Sequence, residues 1–380
     1  MIHQGKIDAA AYNCTGVHLP GHIAPTALVN SGDMGQHSNA AYAALHFVNH
    51  WHHTHDELFF MQTAYTFLRE VAEWWSCWLV RNATTGVFND VQDCTREDCS
   101  ALLNNPVSAN LNPAISVAFV KRILACLIAT AHVSAAPQSM VARWREMHAH
   151  LPPLPTGLFE NKTVLLPQQE PYHFMPGDND LPVYGVYPGE QIGISSPKPL
   201  RQAAIDTILL LDSWTQMNSW PTLFPAAVRA GLPFSVAKSR LEAGIRAYMP
   251  PSGYLSVGGG GIEGAGGLLA VNEMLLQSWD GVLRLFPVWS GKDASFHDLR
   301  AVGAFVVSAS LKSGIVTGFS IISEAGGACL LESPWDGAKP EVRNRVGQLV
   351  RVTTVDGARG EFMFETEVKG VYQVQSEKGR

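Results

Sequence analysis

Among the residues able to do chemistry, Glu263 has the most telling setting, the stretch 254–289, YLSVGGGGIEGAGGLLAVNEMLLQSWDGVLRLFPVW. The four glycines at 258–261 let the backbone turn sharply or come close to a ligand. Glu263 follows at once, near a helix start, where the helix dipole favours an ionised carboxylate. The same pattern also fits a plain helix-start carboxylate after a tight turn. Trp214, Asn218 and Trp220 in DSWTQMNSWP can make a wall on which a ring stacks, although core packing is the commoner use of at least one of the two Trp. Asp178, Asn179 and Asp180 in GDND can bind hydroxyl groups or simply form a turn. His50, His52, His53 and His55 crowd one hairpin without an acidic ligand pattern, so they read as a solvated helix end and no metal site is expected. Cys94 and Cys99 in DCTREDC can close a short disulfide loop or remain free thiols, and no zinc spacing accompanies them.

Helices must carry most of these groups. One is expected over 39–53. A second places Leu58, Met61, Tyr65, Leu68, Ala72, Trp75 and Leu79 on one face at steps of three and four. The short polar link HTHDE makes the two an antiparallel hairpin. Further helices are expected over 114–134 (apolar on nearly every face), 139–150, 199–212, 222–231, 234–248 and 264–278. Residues 1–38, 81–113 and 151–198 read as loops, and long loops within a compact domain are often functional. After Gly281 the texture changes to short alternating segments such as RAVGAFVVSASL, IVTGFSII and EFMFETEV, the pattern of an antiparallel β sandwich. The expected architecture is therefore mainly α, with a helical domain over 1–281 and a small C-terminal β-sandwich domain over 282–380.

Composition excludes some partners. The chain has 27 Lys and Arg against 33 Asp and Glu, with no basic run, so no nucleic-acid footprint is expected. No uninterrupted apolar run reaches the ~18 residues of a membrane-spanning helix. The opening MIHQGKIDAA lacks the apolar core of a signal peptide. Asn-x-Thr sequons occur at Asn13, Asn82 and Asn161; about two are expected by chance, so alone they argue little for secretion.

Four blocks in order resemble family 95 glycoside hydrolases, the α-L-fucosidase and α-L-galactosidase group of the six-hairpin glycosidases. NEMLLQS with its Gly-rich approach and GVLRLFPVW is similar to the family's DGNFG, AEMLLQS and HLLPALP run. VYGVYPGEQI is similar to LYGLYPGNQI, and LPPLPTG to LPPPKIG. Residues 32–68 resemble the family's hairpin that ends in TGDKEFL. The resemblance implies an (α/α)6-type helical toroid. With about eight helices legible against the twelve of six hairpins, the toroid is expected to be incomplete. The family's NINTEMNYW-type segment, which supplies water-positioning asparagines, finds no room upstream of Gly32, so an N-terminally truncated member is expected.

The resemblance further implies inversion by two carboxyl groups, an acid on the leaving oxygen and a base on water. The family's Gln-Glu pair falls on Gln169 and Glu170 of LLPQQEPYH, making Glu170 the acid, with Glu160 second. Leu165, Leu166, Pro171 and Tyr172 are the apolar surroundings expected to keep that acid protonated. The base falls on Glu263, where the family has Asp one position away. Sugar-binding positions fall on His18 and His22 of GVHLPGHIAP, where the family has His-His-Asn-x-Asp, and on the 172–191 loop with His173, Asp178 and Asp180. Together with Trp214, Asn218 and Trp220, these are the expected contacts to an oligosaccharide or polysaccharide, with no cofactor and no membrane partner. The family's habit favours a secretory or extracellular setting. Two other functions fit the same residues. One is a carbohydrate-binding protein that lost turnover with the asparagines. The other is a polysaccharide lyase using Tyr172, His173 and Arg229.

Overall fold

The computed structural model describes residues 2–21, 35–95, 110–252 and 265–377. They form two compact units, Met1–Asn49 with Glu57–Ala226, and His50–Asp56 with Ala227–Arg380. Helices run in the order α1 (Ile2–Ala11), α2 (Asn39–Thr54), α3 (Glu57–Phe59), α4 (Tyr65–Trp78), α5 (Ala114–Ala129), α6 (Ala131–Ser134), α7 (Gln138–His150), α8 (Lys198–Leu211), α9 (Trp220–Arg229), α10 (Phe234–Tyr248) and α11 (Ala265–Leu275). The first unit is mainly helical. The second holds the strands β5 (Leu276–Gln277), β6 (Val282–Leu285), β7 (Ala294–Ala301), β8 (Phe305–Lys312), β9 (Ile315–Ser323), β10 (Gly327–Glu332), β11 (Pro340–Asn344), β12 (Leu349–Val350), β13 (Thr353–Asp356), β14 (Glu361–Thr366) and β15 (Gly370–Ser376).

By compactness α10 and α11 group with the strands, which puts the division between the two units at 226/227. The β texture also begins early. Leu276 and Gln277 leave α11 as a short strand, β5, paired with β6 (Val282–Leu285).

The helix expected from Leu58 onward is interrupted by a π turn over Phe60–Ala64. A π turn adds a residue to the local repeat and rotates the face that follows. The buried positions therefore run Phe60, Ala64, Leu68, Ala72 and Trp75, while Leu58 and Met61 are exposed. Helix α5 is buried on most faces by Val117, Phe119, Ile123, Leu124 and Leu127. Its single buried cation, Arg122, pairs with Glu190 at 2.5 Å and donates to Pro188 O at 3.0 Å. The VYGVYPGEQI turn is thus pinned to α5 by a charge pair.

Helix α1 occupies a stretch that reads as loop, since Gly5 and a polar composition hide its periodicity. Gly5 has a packing reason. A Cβ there would meet Val17 Cγ1 at 2.6 Å and His18 O at 2.9 Å. Gly16 has a positive φ of 88°, and a Cβ on it would come within 2.4 Å of Trp74 N and Glu70 O. These two glycines let residues 16–19 pass between α1 and α4, fixed by Val17 N–H to Glu70 O and His18 N–H to Gly5 O, each 3.0 Å. A disulfide, Cys14–Cys77, closes the same region. Cys94 is also disulfide-bonded, whereas Cys126 and Cys329 are free and buried.

In the second unit, a five-stranded sheet has the order β13-β14-β10-β6-β5 and a six-stranded sheet the order β12-β11-β15-β9-β8-β7. Their facing residues, among them Phe296, Phe305, Phe319, Leu331, Phe364 and Tyr372, make one core, so the pair is a sandwich. It is not wholly antiparallel, because β10 (Gly327–Glu332) lies parallel to β6. Arg284 in β6 is buried within the GVLRLF segment. It is satisfied by Asp280 at 2.6 Å and Glu332 at 2.8 Å, as a buried guanidinium must be.

Candidate active site

Three loop segments of the first unit meet side by side. The hairpin β1 (Val80–Arg81) and β2 (Phe88–Asn89) leads into Asp90. Residues 110–112 run beside it, with Asn110 N–H on Asp93 O at 2.9 Å and Asn112 N–H on Asp90 O at 2.8 Å. Residues 167–170 complete the set. Gln169 N–H donates to Leu111 O at 2.8 Å, and Leu111 N–H to Glu170 O at 2.9 Å.

Asn112 is the hub. It is 1% exposed and has a φ of 50°, a left-handed conformation that Asn tolerates well. Its Oδ1 accepts Asp90 N–H at 2.8 Å, and its Nδ2 donates to Asn89 Oδ1 at 2.9 Å and Gln169 Oε1 at 2.8 Å. Engaging both amide oxygens leaves the NH2 groups of Asn89 and Gln169 as donors. Both residues line a cleft of about 640 Å³ with Asn82, Thr85, Val91, Leu111 and Pro152–Pro155.

Glu170 follows Gln169 directly, and its side chain is exposed. The apolar enclosure expected around it does not form. Leu166 turns into a core with Val164, Phe174 and Leu211, Leu165 is buried, and Tyr172 is exposed with its hydroxyl donating to Leu158 O at 2.8 Å. Residues 164–168 are buried in succession and the chain comes to the surface at 169–172, which leaves Glu170 facing out. Glu160 is exposed in the turn between β3 (Thr156–Phe159) and β4 (Lys162–Leu165).

A buried polar layer fixes these loops. Asp93 accepts His37 N–H at 2.8 Å, Cys94 N–H at 2.6 Å and the Ser116 hydroxyl at 2.5 Å. Ser116 belongs to the first turn of α5, where a carboxylate is favoured by the helix dipole. Trp78 Nε1 donates to Asp90 Oδ1 at 2.9 Å. Burial, then the adjacent Asp93 carboxyl, pushes the Asp90 carboxyl well above its ordinary range.

His18 belongs to this interior. It is 1% exposed, meets His37 Nδ1 through its Nε2 at 3.0 Å, and packs against Trp74 with ring centroids 4.7 Å apart. Burial and His37 depress its pKa to about 3. It is therefore a neutral core histidine rather than a sugar contact. Sequence patterning does not single out Asn89, Asp90, Asp93, Asn112 or His37; the signal for the first four is the clustering of Asn and Asp in the one long loop 81–113, and none marks His37.

The other expected site residues scatter. His173 Nε2 meets Asp178 Oδ2 at 2.8 Å on the partly exposed 172–180 loop. Asn218 is exposed in a turn. Trp214 and Trp220 are both buried against Phe224, at centroid distances of 5.1 and 4.8 Å, so they form no stacking wall. His22 and Glu263 lie outside the described residues. Among the described residues, no three His, Cys, Asp or Glu side chains converge as a metal site, and no helix is long and apolar enough to cross a membrane.

Asp180 is 1% exposed, which removes it from direct contact with a substrate. It accepts the Thr222 hydroxyl at 2.5 Å, and burial pushes its pKa up to about 8 from an ordinary 3.8. Between those values the folded state holds a proton that the unfolded state has released. Stability therefore falls as pH rises across that window, by ~1.4 kcal/mol per pH unit for a full proton, and levels off above it. Asp180→Asn keeps the shape without the titration. Urea midpoints are expected to favour the variant increasingly from pH 5 to pH 8. Parallel curves for the two proteins would show that Asp180 does not titrate this way.

The chain is similar in structure to a protein described as a kojibiose phosphorylase from the human microbiome, at 12% identity and a TM-score of 0.50, over 87% of this chain and 53% of that one. It thus spans about half the length of that protein, and at this identity the likeness concerns the fold alone. A GH127 β-L-arabinofuranosidase from Geobacillus stearothermophilus is matched at 10% identity and a TM-score of 0.26, over 90% of this chain and 62% of that one. No curated protein matches the chain. The model of the glycosyl hydrolase family 95 catalytic domain matches residues 4–232, the span that holds the cleft, Asn112 and Glu170. Matched over well over half its length, the chain belongs to glycosyl hydrolase family 95.

Proposed function

We propose that the protein is an inverting glycosidase that releases a terminal α-linked sugar, L-fucose or L-galactose, from an oligosaccharide or polysaccharide. Glu170 gives its proton to the glycosidic oxygen as that bond to the anomeric carbon breaks. A water attacks the same carbon from the opposite face and passes its proton to Glu263. The observation that carries this reading is the exposed Glu170 carboxyl, next in the chain to a cleft-lining amide that buried Asn112 holds in place. The Asn89 and Gln169 NH2 groups suit the hydroxyl oxygens of a sugar. The role of Glu263, and an (α/α)6 toroid arrangement of the helices, rest on the family resemblance.

A panel of aryl α- and β-glycosides and plant-type oligosaccharides tests the reading. The expected result is release of one sugar, with the opposite anomer appearing first by NMR. Retention of configuration would reject the two-carboxylate inversion. Binding without release would favour a sugar-binding protein, and an ultraviolet-absorbing unsaturated product would favour a lyase.

A further inference from the structure

The three Asn-x-Thr sequences, Asn13-Cys14-Thr15, Asn82-Ala83-Thr84 and Asn161-Lys162-Thr163, play no part in the proposed reaction. Chance sequons fall without regard to burial. Here all three acceptor asparagines are exposed and at turns. Asn13 follows α1 with a φ of 57°, and Asn161 forms the β3–β4 turn with a φ of 61°. Asn82 opens the β1–β2 turn, where its Oδ1 accepts Thr84 N–H at 2.9 Å. Thr15, Thr84 and Thr163 are exposed as well, so each hydroxyl that an acceptor site requires is on the surface. By contrast, the buried Asn110 and Asn112 lack Ser or Thr two residues on. A glycan is large and hydrated, so only surface turns accommodate it.

The disulfides supply an independent observation. Cys14–Cys77 and the bonded Cys94 belong to a chain that matures in an oxidising compartment, the setting in which glycans are transferred to asparagine. We propose that Asn13, Asn82 and Asn161 are acceptors of N-linked glycans. The inference does not depend on the catalytic reading. It gives the surface of the first unit three hydrated chains, one of them beside the cleft that Asn82 helps to line.

The chain fused to a secretory leader, translated with endoplasmic-reticulum microsomes, tests this. The expected result is three gel increments, all removed by peptide-N-glycosidase F. Asn13→Gln, Asn82→Gln and Asn161→Gln each lose one, and Thr84→Ala loses the same increment as Asn82→Gln. Release in heavy-oxygen water marks the three positions as labelled Asp in a peptide map. A chain that is protected from protease inside the vesicles yet unshifted overturns the proposal, and a single unshifted position overturns it there.

Discussion

Glu170→Gln is expected to lower kcat by about 10²–10⁴-fold, the range that a positioned general acid contributes. The substitution keeps the size of the side chain and removes only the proton it can give. The bonds that place residue 170 are made by backbone atoms, Leu111 N–H to Glu170 O and Gln169 N–H to Leu111 O, so they survive. Because the side chain is exposed, folding is expected to be unchanged within ~0.5 kcal/mol. The loss depends on the leaving group. An aryl glycoside whose phenol departs without protonation loses least, while an oligosaccharide loses the full factor. The measurement is kcat on both substrates for the wild type and for Glu170→Gln, beside Glu160→Gln. Equal losses on both substrates would mean that Glu170 positions the sugar instead of protonating it. Loss in Glu160→Gln with none in Glu170→Gln would move the acid to the β3–β4 turn.

Much of the fold is legible in the sequence because it rests on period. The α2 hairpin, the apolar α5 and the alternating strands after 281 follow from where apolar residues recur. The misses have specific causes. One extra residue in the π turn at Phe60–Ala64 exchanges Leu58 and Met61 for Phe60 and Ala64 in the core, and no residue type announces that insertion. Helix α1 escapes notice because Gly5 serves close packing and lowers helical signal at once. The site is harder to read than the fold. His18, Asp180, Trp214 and Trp220 have the right chemistry for sugar contact, but each is below 4% exposure. Chemistry is written in residue type, whereas access depends on long-range packing. Asn112 shows the reverse case, since its importance comes from three segments that meet only in the folded chain. The family resemblance points to Glu170 because it carries order along the chain, which neither periodicity nor composition contains.

The second large effect concerns stability. Replacing both Cys14 and Cys77 by Ser is expected to cost about 4 kcal/mol, from the chain entropy that a cross-link spanning 63 residues removes from the unfolded state. Sequence reading considers only the close pair Cys94 and Cys99. Cys77 lies near the end of a helix and its partner precedes it by 63 positions, so spacing gives no hint of the bond. The bond ties the turn after α1 to the last turn of α4, the same two elements between which Gly5 and Gly16 admit residues 16–19. Its loss frees the N-terminal segment that carries His18 into contact with Trp74. Guanidinium unfolding followed by tryptophan fluorescence measures the effect, because Trp74 and Trp78 report on that contact. The wild type under reductant is expected to approach the double-serine midpoint, within the further effect of reducing the Cys94 bond. A double-serine midpoint equal to that of the oxidised wild type would mean that the backbone bonds of Val17 and His18 hold the segment without the cross-link. The entropy gained by the unfolded chain would then be offset by strain relieved in the folded one.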